Sequence, residues 1–166
     1  LVAYVDFGTT SVNVQKYDGN SWVYVGSPSF HNYSIMPNEF SLTFNNDIPY
    51  VAFNDNGYYV MKYDGTNWVY VGNQAFGGNQ DYYQNLDFLD NIPYVVASDF
   101  GNSLNAKIYR LDGNTWVDIT DPTFMSSPFF GSVNSVWYPE LEVLNGELYA
   151  AASRSSNGFT VMKYNG

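Results

Sequence analysis

The feature that most constrains this chain is a hairpin corner that recurs. Residues 18–26 read DGNSWVYVG, residues 64–72 read DGTNWVYVG and residues 112–120 read DGNTWVDIT. In each copy a Trp follows the Asp by four positions (Trp22, Trp68, Trp116), and a Phe follows that Trp by eight (Phe30, Phe76, Phe124). Asn165 adds a fourth member to the Asp18, Asp64, Asp112 column, at intervals of 46 to 53 residues. Leu42, Leu86 and Leu141 align farther along. Tyr50, Tyr94 and Tyr149 stand near the head of the runs PYVAFND, PYVVASD and LYAAASR. The opening LVAYVD is a further copy of that run, and the closing VMKYNG is a further copy of VMKYDG.

A period of 40–50 residues built from short strands is the signature of a β-propeller. Each unit reads as four antiparallel strands: A as FSLTFN, B as PYVAFND, C as YVMKYD and D as WVYVG. The Asp-Gly pair joins C to D, because Gly accepts the positive φ that a tight hairpin turn imposes. The Trp that follows opens strand D and is placed to cap the core of the blade. No window shows a 3.6-residue apolar period, so no helix is expected. A lone four-stranded sheet cannot bury both faces, and stacking blades around an axis does so.

The strands run BCD, ABCD, ABCD, ABC, which is about three and a half blades in one partial domain over residues 1–166. The expected repeats span approximately 1–39, 40–85, 86–139 and 140–166. Closed propellers use about 4–8 blades. The expectation is therefore either a piece of a longer propeller or self-association that closes the ring between chains, for instance two copies giving eight blades. The chain begins at Leu1 with no signal-peptide pattern, so a removed leader or a longer parent is expected.

The order of YVAF-D, VMKYDG and W-V-V-G resembles kelch-type blades, with their Tyr-containing third strand and Trp-led fourth. It is more similar still to the blades of secreted or surface-attached bacterial propeller-repeat proteins built on YVAY-D, VMKYDG and W-VG. The resemblance covers the whole chain and implies a propeller, an extracellular or cell-surface location, and D–A and B–C loops gathered on one ligand face. It says little of activity, since one fold hosts many functions. The string DGNTW also resembles the Asp box of sialidases, one residue short, and carries no catalytic weight.

Composition narrows the classes. The chain has 166 residues with a formal net charge of −10 and only six Lys and Arg. Such a surface repels phosphate backbones and anionic lipid, so neither nucleic acid nor membrane insertion is expected; no apolar run reaches a span of about 18 residues. The chain has no Cys, which removes disulfides, thiol catalysis and Cys-based metal sites. No cofactor and no metal are expected. Aromatic residues make up 19% against 13% charged, which suits strands joined by tight turns.

Candidate sites fall in two groups. The repeated columns read as structural. Lys16, Lys62, Arg110 and Lys163 share a strand C position, where their alkyl stems cover the sheet and their heads stay wet or pair with carboxylates. Asp6, Asp55 and Asp99 close strand B, with Arg154 in the fourth copy. They read as Asx-type turn caps, with calcium binding as the alternative. His31 is the single histidine, lacks a marked nucleophile or further ligands nearby in sequence, and reads as a loop residue. The divergent group is the D–A connections, which carry Tyr33, Tyr82, Tyr83, Phe129, Phe130, Trp137 and Tyr138 among Asn, Gln and Asp. Exposed rings beside amides suit sugar faces and hydroxyls, or a protein partner. Phe30, Phe76 and Phe124, by their fixed spacing, are expected to fold inward. The leading expectation is a non-enzymatic extracellular propeller for adhesion, display or assembly, binding protein or glycan at its loop face. The alternative is a carbohydrate-binding, lectin-like propeller. An enzyme, a glycan hydrolase or lyase using carboxylates such as Asp81 and Glu140, ranks last.

Overall fold

The computed structural model describes residues 1–33, 40–78, 83–99, 105–120, 136–154 and 158–164. These form four antiparallel sheets and, among the described residues, no helix. The first sheet holds β1 (Val2–Asp6), β2 (Ser11–Tyr17), β3 (Trp22–Tyr24) and the short β4 (His31–Asn32). The second runs in order through β5 (Phe40–Asn45), β6 (Ile48–Asn54), β7 (Tyr58–Tyr63) and β8 (Trp68–Tyr70). The third repeats it with β9 (Gln84–Leu89), β10 (Ile92–Asp99), β11 (Asn105–Asp112) and β12 (Thr115–Asp118). The fourth has three strands, β13 (Val136–Leu144), β14 (Glu147–Arg154) and β15 (Gly158–Lys163). This is the partial β-propeller that the repeat predicts.

The strand count differs from the expected pattern by one, and the reason is local. β3 and β4 both pair with β2, so they are two halves of one outer strand interrupted between Tyr24 and His31. The second sheet does the same less completely, where Phe76 bridges back to Tyr58 beyond the end of β8.

The turns follow their chemistry. Asn46–Asp47, Asp90–Asn91 and Asn145–Gly146 all sit at positive φ between the first two strands of their sheets. That pair of left-handed residues makes the two-residue hairpin whose twist matches the strands. At the recurrent corner, Gly19 and Gly65 take φ near 100°. The Asp18 carboxylate accepts hydrogen bonds from the amides of Asn20 and Ser21, both 2.8 Å, and Asp64 does the same for Thr66 and Asn67 at 2.8 and 2.7 Å. These amides pull both carboxyls below the usual range. In these two copies the Asp of the motif thus caps the corner, while the Gly supplies the backbone angle.

Packing explains the rest of the motif. The second strand of each complete sheet is apolar on both faces because a blade lies on either side, and β6 is buried from Pro49 to Asn54. The Trp of the motif does more than cap its own blade. Trp68 donates its indole N–H to the Val25 carbonyl (2.7 Å) and stacks on Phe30 (ring centroids 4.9 Å apart), both in the preceding blade. Trp116 repeats this with Val71 (2.8 Å) and Phe76 (4.6 Å). Phe30 and Phe76 fold inward as expected; Phe124 lies outside the described residues. Close approach requires the Gly after strand D. A Cβ on Gly72 (φ +77°) would meet Leu111 Cδ1 at 2.7 Å and Trp116 Nε1 at 2.8 Å.

Candidate functional site

The most distinctive polar arrangement among the described residues lies where the first two blades meet. β4 carries His31 from the interrupted outer strand of the first blade, and Asp55 follows β6 in the second. His31 Nε2 lies 3.2 Å from Asp55 Oδ2, and His31 Nδ1 lies 3.0 Å from the Tyr70 hydroxyl. Both members of the His–Asp pair have largely buried side chains. A carboxylate only accepts, so Nε2 carries the proton and donates to Asp55, which leaves Nδ1 to accept from Tyr70 O–H.

Rings surround the imidazole. Phe53, Tyr59 and Tyr33 lie 4.6, 5.0 and 5.4 Å from it between centroids. This apolar cage sets the electrostatics. Desolvation lowers the His31 pKa and outweighs the opposing pull of Asp55, so the ring is neutral at neutral pH. Burial, then the neighbouring Tyr59 and Asp55, raises the Tyr70 phenol. Tyr70 is therefore a protonated, oriented hydroxyl and not a base. It is also exposed, and its ring lies 6.0 Å from that of half-buried Tyr59. The hydroxyl spends its proton on His31 and keeps its lone pairs for a donor from outside. The arrangement offers two ring surfaces and a fixed acceptor.

The expected site residues are distributed otherwise. Tyr33 is buried, not displayed: it packs edge-on against Phe40 and Phe53, and its hydroxyl has no hydrogen-bond partner. The interrupted outer strand carries it inward, through a hydrogen bond from its amide to the Thr10 carbonyl (2.8 Å). Tyr83 is half-buried and tied by its backbone to Ser98, its carbonyl accepting from the Ser98 amide at 3.0 Å. Trp137 and Tyr138 belong to β13 and not to a loop, at the point where its register with β14 shifts; their side chains, like Tyr82, Phe129 and Phe130 as a whole, lie outside the described residues. Glu140 also falls within β13. Partial desolvation, then Glu142, raises its carboxyl; Asp81 lies outside the described residues.

The repeated columns separate. Asp6 accepts from the Gly8 amide at 2.8 Å, the Asx turn expected of it. Asp55 instead faces His31, and the side chain of Asp99 lies outside the described residues. His31 itself is a strand residue, which corrects its reading as a loop residue. Among the described residues, no three His, Asp or Glu side chains gather as a metal site would need. Of the cation column, Lys163 pairs with Glu147 across the last two strands, at the wet surface. One signal could have located the His–Asp pair in the sequence. His31 directly follows Phe30, whose column stacks on the Trp of the next blade, and Asp55 directly follows a strand of that same blade.

No protein-family model and no curated protein matches the chain. Solved structures do resemble it. The GH43B protein of the Bacteroides ovatus xyloglucan PUL superposes with a TM-score of 0.53 at 17% identity, over 78% of this chain and 28% of its own length. The Bombyx mori GH32 beta-fructofuranosidase superposes with a TM-score of 0.50 at 11% identity, over 92% of this chain and 41% of its own. The chain thus spans less than half of each, and at these identities the likeness bears on the fold. Both are propeller glycoside hydrolases. That finding overturns the expectation of a non-enzymatic adhesion, display or assembly protein, since the propellers that this chain resembles are glycan-active.

Proposed function

We propose that this chain is part of a glycan-binding propeller, and that a sugar sits against Tyr59 and Tyr70 at the junction of the first two blades. The observation that carries the reading is the hydroxyl of exposed Tyr70, held by buried His31 and Asp55 beside a second tyrosine ring. Sugar rings present an apolar face that stacks on aromatic rings and hydroxyls that need fixed partners. A neutral imidazole in a dry cage fixes such a partner without adding charge. The glycan-active character of the structural neighbours agrees with this chemistry. An extracellular or cell-surface location goes with the reading.

Hydrolysis would need two carboxyls flanking one bond, about 5–9.5 Å apart. Within this site Asp55 is the single carboxylate described, and it is occupied by His31, so the site is read as one that binds.

The test is a glycan array followed by calorimetric titration of the best oligosaccharide. Tyr70→Ala is expected to weaken binding by about tenfold or more, as loss of a stacking ring and one oriented hydrogen bond does. Tyr70→Phe keeps the ring and should lose only the hydroxyl's share. Folded protein that gives no array signal, or a Tyr70→Ala variant that binds like the parent, would overturn the proposal.

A further inference from the structure

His31 decides what the Tyr70 hydroxyl can offer a ligand. With the ring neutral, His31 Nε2–H donates to Asp55 Oδ2 (3.2 Å), and the bare Nδ1 accepts from the Tyr70 hydroxyl (3.0 Å). Tyr70 then turns only lone pairs outward. A sugar hydroxyl satisfies them by donating. A carboxylate has no proton to give and would set lone pairs against lone pairs. A proton added to the ring reverses this. It lands on Nδ1, the ring nitrogen that still has a lone pair. Nδ1–H then donates to the Tyr70 oxygen, and the Tyr70 O–H turns outward as a donor. The same atom changes polarity, with a positive ring behind it.

The groups that face the ring leave this choice to His31. Asp55, from the loop after β6, meets Nε2. Tyr59 on β7, Tyr70 on β8 and Tyr33 just beyond β4 face the ring from other sides. Burial pushes all three phenols up, so they stay protonated and uncharged while the ring titrates. Among the described residues, no Lys or Arg acts on His31, Tyr59 or Tyr70. With the ring neutral, the site therefore has no cation to hold an anion, and the net charge of −10 repels one. We propose that His31 is a positioning residue that restricts this site to uncharged glycans while its ring is neutral and opens it to uronates when the ring takes up a proton. This inference rests on the glycan reading and adds a substrate class to it. Desolvation holds the ring neutral at neutral pH, so the change falls below the ordinary 6.5.

His31 is the only histidine in the chain, so nitrogen-15 NMR of the histidine ring reads it directly. At pH 7.5 the expected state is a protonated Nε2 and a bare Nδ1, and both nitrogens should be protonated below a midpoint under 6.5. Calorimetry then compares gluco-, manno- and galacto-oligosaccharides, each beside its C6-oxidised uronate, at pH 7.5 and below that midpoint. The uncharged form should bind about tenfold more tightly at pH 7.5, as one lost hydrogen bond implies, and the gap should close below the midpoint. His31→Gln offers an N–H to Asp55 and a C=O to Tyr70 but takes up no proton, so it should keep the preference at both pH values. An effect of net charge alone would appear equally in both proteins. By linkage, bound uronate should also raise the midpoint of the parent, a readout that decides the matter if His31→Gln fails to fold. An Nδ1–H tautomer at pH 7.5, a preference that does not change with pH, or one that changes equally in His31→Gln would overturn this inference alone. No binding of any member at either pH would overturn the glycan reading and this inference with it.

Discussion

The junctions that hold Trp68 and Trp116 and the face that carries Trp22 are built from one motif, and they differ in what that motif touches. Trp68 and Trp116 each reach into the blade before, donate to a strand carbonyl and stack on a phenylalanine. Trp22 holds the same motif position and the same register opposite a strand residue, Tyr17, as Trp68 does opposite Tyr63. Among the described residues no blade packs on it, and its indole is exposed. One sequence motif therefore has two energetic meanings. At a junction the Trp buries a large apolar surface and donates its N–H to a backbone carbonyl, and Trp22 stays in solvent. What the repeat encodes is half of a contact.

The largest effect expected from this contrast comes from one substitution made twice. Trp68→Ala should cost about 3–5 kcal/mol, the range for removing a buried aromatic side chain. Trp22→Ala should fall within about 0.5 kcal/mol of the parent, as exposed substitutions do. Urea denaturation measures both. Equal costs would mean that the Trp acts within its own blade and that the junction contributes little.

A second pair separates backbone conformation from interblade fit. Gly65 and Gly72 both hold positive φ, but a Cβ on Gly65 meets open space, and one on Gly72 meets Leu111 and Trp116. Gly65→Ala should cost about 1–2 kcal/mol from the left-handed conformation alone. Gly72→Ala should add an overpacking cost of about 1–3 kcal/mol. Thermal unfolding of the two variants reads the difference directly. If they unfold together, the close approach at Gly72 is relieved by small shifts and the junction is looser than its distances imply.

The architecture was legible in the sequence because a repeat reports its own constraints. Asp-Gly at a fixed distance before Trp needs only local chemistry to be read as a corner, and the structure places caps and positive φ there. The site was legible only in part. Tyr33 reads as a displayed aromatic from its place in a divergent connection, yet the interrupted outer strand turns it into the core. Asp55 shares a column with Asp6, and column logic assigns them one role. The difference lies in a partner that the column does not contain: His31, from another blade, has no counterpart elsewhere in the chain. Repetition reveals what the copies share, and a site formed by one unrepeated residue is outside what it reports.

That same histidine gives the smallest and most selective prediction. Asp55 sits at a junction and Asp6 at an outer face, so only the junction carboxylate is engaged by an imidazole. Burial depresses the folded-state pKa of His31 below its ordinary 6.5. Between those two values the unfolded chain binds more protons than the folded one, so stability rises with pH across that window. The contribution is fully present above pH 6.5 or so, and it is lost as pH falls through the depressed folded value. Asp18 and Asp64, whose carboxyls are also depressed, act in the same direction but only below about pH 4. The two windows are therefore separable. A thermal-unfolding series from pH 7.5 to 5 should show the parent losing more stability than His31→Gln, whose amide cannot take up the proton. Below pH 4 the two curves should fall in parallel. Parallel curves throughout would mean that protonated His31 is as well accommodated against Asp55 as the neutral ring, and that the aromatic cage around it is not dry.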